Sequence, residues 1–230
     1  MMPRTTTKRV VMVSSMPTND YINFLKDALG KDTEFVVYNP NEDLQEANFM
    51  LFTGGADVSP EYYGQSKGGQ THCNPRRDAL EKEMHRRHNW LPKIGICRGS
   101  QFLTVMNGGR LIQHVNGHSG MHNIQTKFNM AEGHFKSYPM SSTHHQMMYP
   151  YNLEESRYEL IAWSEYLNSD TYLNGRNVEM ELPDDFLEPE IVFYPKGKAL
   201  CIQGHPEYSQ VPKETIEYVK ELINKYLLNS

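Results

Sequence analysis

The sequence predicts an α/β fold in which a mostly parallel central sheet is flanked by helices, with a strand-rich C-terminal half. Short apolar runs alternate with segments of helical period through the first hundred residues, several apolar runs too short for helices fill the second half, and a cysteine stands between glycines where a strand passes into a helix. The first strand is RVVMVSS (9–15), and YINFLKDALG (21–30) reads as a helix closed by Gly30. Strands follow in EFVVYNP (34–40) and NFMLFTGG (48–55). After a loop comes a helix from about Asp78 to Asn89, then the strand KIGI (93–96) and a helix carrying Gln101 and Phe102. Such βαβ alternation places an active site at the carboxyl ends of the strands. The second half offers RLIQHV (110–115), YELIAWS (158–164), and the pair EIVFYP and ALCIQG joined at Lys196, Gly197 and Lys198 as a hairpin. VPKETIEYVKELINKYLL (211–228) reads as a closing amphipathic helix.

Composition narrows the function classes. The 230 residues show no linker or shift of composition, so one compact unit over 1–230 is expected. A formal net charge of −5 and basic clusters no longer than Arg76–Arg77 and Arg86–Arg87 argue against nucleic acid as a partner. Three scattered cysteines fit neither a disulfide framework nor a metal pattern, and a reducing cytoplasm is expected. The only N-terminal apolar run is strand-length, and no stretch approaches the length needed to span a bilayer.

KIGICRGSQFL (93–103) carries the most chemistry. Cys97 sits between Gly95 and Gly99 in the pattern of a nucleophile elbow with sulfur in place of the serine oxygen. The glycines allow a strained turn, and the following helix turns its free N–H groups and positive dipole end toward the sulfur. A hundred residues on, ALCIQGHPEY ends an apolar strand in His205, Pro206 and Glu207. Side chains two apart in extended chain share a face, so Glu207 is placed to orient His205 as base and later acid. Nucleophile, base and orienting acid are then all present. The pair Gly54 and Gly55 after the strand NFMLF can turn bare N–H groups into a cleft, as an oxyanion hole requires, and the N–H of Arg98 is the natural second donor.

FTGGADVSPEYYG, RRDALE, GICRGSQFL, NGGRLIQHV, STHHQ and QGHPEY occur in that order. In these six blocks the chain resembles the class I glutamine amidotransferase family, within it the branch typified by γ-glutamyl-γ-aminobutyrate hydrolases. The resemblance implies a single glutamine amidotransferase-like domain of flavodoxin-like architecture, with Cys97 as nucleophile, His205 as base, Glu207 as third triad member, and Gly55 with Arg98 as oxyanion donors. It also implies that Gln101 lies against a bound glutamyl group and that His145 borders the pocket, with Gly54 beside them as a substrate-binding residue. The implied reaction is hydrolysis of the γ-amide of glutamine or of a γ-glutamyl amine through a glutamyl thioester, without a cofactor. Two settings fit: a stand-alone hydrolase of a small-molecule substrate, or a glutaminase subunit passing ammonia to a separate synthetase partner. One departure stands out. The family usually has an aromatic residue directly before the HPE triplet, whereas this chain has Gly204, which predicts open space beside His205.

Two further patterns are read more plainly. Asp78 and Glu81 have the spacing of a capping box that starts a helix, with a pocket role for Arg77 undecided. His114, His118 and His122 recur every four residues, but glycines interrupt them and no carboxylates accompany them, so no metal is expected.

Overall fold

The computed structural model describes residues 9–42, 46–129 and 134–228. Its first half alternates as the sequence predicts: β1 (Val10–Val13), α1 (Asn19–Leu29), β2 (Glu34–Val37), β3 (Phe49–Phe52), α2 (Pro75–Arg87), β4 (Lys93–Ile96) and α3 (Arg98–Met106). The second half is strand-rich: β5 (Arg110–Ile112), β6 (His114–Val115), β7 (Ser119–Asn129), β8 (His134–Thr143), β9 (Met147–Tyr149), β10 (Glu159–Ser164), β11 (Tyr172–Leu173), β12 (Pro189–Tyr194) and β13 (Ala199–Ile202), closed by α4 (Lys213–Ile223).

Nine strands form one sheet in the order β2-β1-β3-β4-β13-β12-β10-β7-β8. Pairings from β2 through β13 are parallel, and those from β13 to β8 are antiparallel. The central sheet thus has a parallel core, as expected, and the strand-rich second half extends it as an antiparallel wing that makes it mixed overall. Central strands covered on both faces are apolar at every position, as FMLF in β3 and ALCI in β13 are. Their side chains alternate between two cores. Val11, Val13, Leu51, Ile94 and Ile96 pack with Leu25 and Leu29 of α1 and Val219 and Ile223 of α4. Met12, Met50 and Phe52 face the opposite way, onto Met84 of α2 and Phe102 and Leu103 of α3. Helices thus cover both faces, and the ends of β1, β3, β4 and β13 are left to meet at one rim.

Local differences from expectation have local causes. RLIQHV breaks into β5 and β6, because Gln113 turns inward to bond Gly68, Thr71 and Ser66 across the loops. The long hairpin β7–β8 lacks the apolar alternation that marks a strand in sequence. Helix α2 begins at Pro75, and its cap is Asn74, whose side-chain oxygen accepts the Arg77 N–H at 3.1 Å. Asp78 and Glu81 are not a capping box; both are fully buried. Among the described residues no helix is long and apolar enough to cross a membrane.

Candidate active site

Cys97 links β4 to α3 with φ 53° and ψ −115°, a conformation that side-chain-bearing residues rarely hold. Ties on both sides hold it there. Its N–H donates to Ile202 of β13 at 2.8 Å, and its carbonyl accepts from the Ser100 hydroxyl at 2.6 Å and the N–H groups of Ser100 and Gln101 at 3.0 and 3.2 Å. The helix behind it lies so close to β3 that a Cβ on Gly99 would meet the Phe52 carbonyl oxygen at 2.0 Å. Only glycine permits that approach, and it sets the sulfur at the helix N-terminus.

His205 follows β13, its N–H held by the Ser141 carbonyl of β8 at 2.8 Å. Its Nδ1 donates to the Glu207 carboxylate at 2.8 Å, leaving Nε2 for the Cys97 sulfur. Burial alone would lower this imidazole, but hydrogen bonds to Cys97 and Glu207 and the negative charge of both outweigh it and push the group up to about 10. The ring of Tyr208 lies flat on that of His205, with centroids 4.3 Å apart and planes 9° apart. Tyr21 of α1 accepts the Gly54 N–H at 3.1 Å, and its hydroxyl is pushed well up by burial and then by the Glu207 charge.

The loop after β3 is fixed from behind by two arginines. Arg77 donates to the Gly54 carbonyl at 2.9 Å and the Thr53 carbonyl at 2.9 Å, and Arg98 to the Ala56 carbonyl at 3.1 Å. Arg98 is itself paired with Asp78 and Glu81, and Arg77 with Glu81 at 2.9 Å. Ser59 and Ser14 hydroxyls, each at 2.5 Å, complete the acids' bonding. In a trans peptide the carbonyl and the next N–H point opposite ways. With the Gly54 carbonyl turned back onto Arg77, the Gly55 N–H faces the other side, and a Cβ on Gly55 (φ 139°) would meet Arg77 at 2.3 Å. Among the described residues no backbone carbonyl accepts the N–H of Gly55 or of Arg98.

An open cavity of about 580 Å³ is lined by Thr53, Gly54, Gly55, Cys97, His205 and Tyr208, together with Ser15, Tyr21 and Thr143. One cavity thus brings together a sulfur, an imidazole backed by the Glu207 carboxylate, and a glycine loop. The profile of the Peptidase C26 family matches residues 14–207. The chain belongs to that family. It is class I glutamine amidotransferase-like, and γ-glutamyl-γ-aminobutyrate hydrolase is a member of the same family. A candidate glutamine amidotransferase of Mycobacterium tuberculosis is 42% identical over 83 residues, 34% of this chain and 27% of that protein. A glutamine amidotransferase-like protein of Lactococcus lactis subsp. lactis is 34% identical over 119 residues, 43% of this chain and 50% of its own length. The matched stretch therefore spans half or less of each of these relatives. The solved structure of a candidate GMP synthase component from Thermoplasma acidophilum shares the fold, with a TM-score of 0.61 at 16% identity over 93% of this chain and 92% of that one.

In this C26 chain the other expected site residues fall unevenly. Gly54 lines the cavity, whereas Gln101 and His145 are not among its lining residues. Gln101 is buried and donates to the Gln146 carbonyl at 2.8 Å, and His145 faces Asp57 at 3.2 Å. The expected space at Gly204 is absent. A Cβ there would meet Met140 Cγ at 2.4 Å and the Ser141 carbonyl at 2.8 Å, because β8 packs directly on that backbone. The aromatic cover of His205 comes from Tyr208 instead, just past the acid. Sequence reasoning missed Tyr208 and Tyr21; the first is adjacent to a recognised triplet, but the second joins the site only through the fold.

Proposed function

We propose that this C26 protein is a cysteine amidohydrolase that cleaves the γ-amide bond of glutamine or a γ-glutamyl amine. Cys97 attacks the γ-carbonyl carbon, and the oxyanion accepts hydrogen bonds from the N–H groups of Gly55 and Arg98. As the C–N bond breaks, the His205 imidazolium gives its proton to the departing amine. Water then adds to the thioester, its proton returning to His205, and glutamate leaves. Glu207 holds the imidazole in the tautomer this shuttle needs. The observation that carries the reading is the strained Cys97 sharing one cavity with His205, whose imidazole is held from behind by Glu207. The γ-glutamyl half of the substrate is supported by family membership, and parts for Gln101 and His145 in binding it rest on the resemblance alone.

The test is glutamate release from glutamine and from a panel of γ-glutamyl amides, with wild type and Cys97→Ala in parallel. Release is expected from wild type, and the variant should lose about 10⁴-fold or more in kcat. Equal release from both proteins overturns the reading. A protein active only on glutamine, and only with a second protein added, would instead be the glutaminase subunit of a synthetase.

A further inference from the structure

Within the antiparallel wing lies a cluster of titratable groups that the proposed chemistry does not use. His118 precedes β7 and His122 lies within it; Glu188 precedes β12 and Glu190 lies within it. Residues two apart share a face of a strand, so the two acids point the same way. Strand β10 runs between β7 and β12, and its side chain at this level is the short Ser164, whose hydroxyl donates to Glu190 at 3.1 Å. The imidazoles therefore reach across it. His122 Nε2 stands 2.8 Å from Glu190 Oε1, His118 Nδ1 stands 3.6 Å from the same oxygen, and His118 Nε2 stands 3.3 Å from Glu188 Oε1.

Burial makes this arrangement costly as it stands. His118 is 2% exposed and Glu190 1%, yet among the described residues neither ring nitrogen of His118 nor Oε2 of Glu190 has a hydrogen bond of good geometry, the Glu188 oxygen 3.3 Å from Nε2 being the nearest approach. A buried polar group left without a partner destabilises the folded state. Among the described residues no lysine or arginine pairs with either glutamate. Glu188 is positioned with care: it accepts from the N–H groups of Asn168 at 2.8 Å and Ser169 at 2.9 Å and from the Tyr172 hydroxyl at 2.8 Å.

We propose that His118, His122 and Glu190 bind a divalent transition-metal ion of the zinc type, with Glu188 orienting His118 from behind. One donor atom from each of the three lies within 4.8 Å of the others, a span that an ion with bonds of about 2.0–2.2 Å closes by small side-chain movements. Coordination at His118 Nδ1 leaves its Nε2–H to donate to Glu188, the carboxylate–histidine–metal arrangement that fixes an imidazole ligand. A dication with two neutral imidazoles also balances the charge of the two buried carboxylates. Two nitrogens and an oxygen favour zinc-like ions over magnesium or calcium, which take oxygen. Linear spacing hides this cluster, because the acid that faces His122 is 68 residues away. His114, the third histidine of the run, stands apart beside His145. The ion would lie one layer behind the cavity wall: His144, next to the cavity-lining Thr143, stacks on His118 with centroids 4.5 Å apart.

The test uses the full chain carrying Cys97→Ser, which removes a competing thiol, stripped with chelator and titrated with Zn²⁺ by calorimetry and elemental analysis. One equivalent is expected, and Co²⁺ should give visible absorption without a thiolate charge-transfer band. Glu188→Gln should weaken binding by roughly 10–100-fold, and His122→Gln and Glu190→Gln by more. Circular dichroism checks each fold; should Glu190→Gln not fold, the partly exposed His122→Gln decides. Absence of a retained ion, or an ion kept equally by folded His122→Gln, overturns the proposal and marks any bound metal as adventitious.

Discussion

At the scale of single residues, the glycine loop after β3, the proposed oxyanion hole, is the most sharply constrained. Gly55 is required twice, by its φ of 139° and by the Arg77 guanidinium 2.3 Å from where a Cβ would stand. Gly55→Ala must therefore turn the peptide that presents the N–H or displace Arg77. Loss of one oxyanion donor costs about 10²–10³-fold in kcat, so that fall is expected with KM little changed, measured on the best γ-glutamyl substrate. An unchanged kcat in a folded Gly55→Ala protein would remove this loop from the mechanism. Cys97, His205 and Glu207 were legible in sequence because each belongs to a pattern only a few residues long. Gly204 was misread for the opposite reason: what fills the space beside it is Met140, which the linear sequence does not bring near.

At the scale of elements, α2 carries its buried acids toward α3 and the glycine loop. The local pattern of Asp78 and Glu81 imitates a capping box, and nothing within one helix reveals that their partner is Arg98, 20 residues from Asp78. The two interpretations differ in magnitude. A lost cap costs about 1 kcal/mol, which is the loss expected for Asn74→Ala, the cap the structure has. Breaking a buried pair costs about 3–5 kcal/mol, because an uncompensated charge is left behind, and that is the loss expected for Asp78→Ala. Urea unfolding of the two variants compares them directly, and equal losses would restore the capping role. The strands of the parallel core were readable from their unbroken apolar runs, whereas β7 and β8 were not, since polar residues such as Asn123, Gln125 and Lys136 interrupt any alternation.

At the scale of the whole molecule, the raised His205 couples the site to stability. Its folded value of about 10 exceeds the unfolded value of about 6.5, so the native state holds the proton more tightly. The stabilisation is fully present below about pH 6.5 and is lost as pH rises through about 10. In the proposed reaction the leaving amine takes this same proton, so turnover should fall over the same upper range. The His205 Cε1 proton resonance should titrate near pH 10 in wild type and at a lower pH in Cys97→Ala, where the neighbouring sulfur is gone; a wild-type midpoint near the unfolded value would sink this account.

The backbone of Cys97 has a consequence for the folding equilibrium itself. A residue held in a sparsely populated region costs about 1–3 kcal/mol, and the surrounding sheet and helix must carry that load whenever the chain folds. Glycine would carry almost none of it, although its greater freedom in the unfolded chain returns about 0.5–1 kcal/mol of the gain. Cys97→Gly and Cys97→Ala both lack the sulfur and differ chiefly in how well they tolerate φ 53° and in the freedom of the unfolded chain. The glycine variant should melt higher, with a net difference of about 1 kcal/mol, and an alanine variant of equal or greater stability would show that the elbow is relaxed. Selection for stability alone would have put glycine at this position, so the cysteine there is a stretched spring, and the chemistry proposed for its sulfur gives the chain a reason to keep it wound.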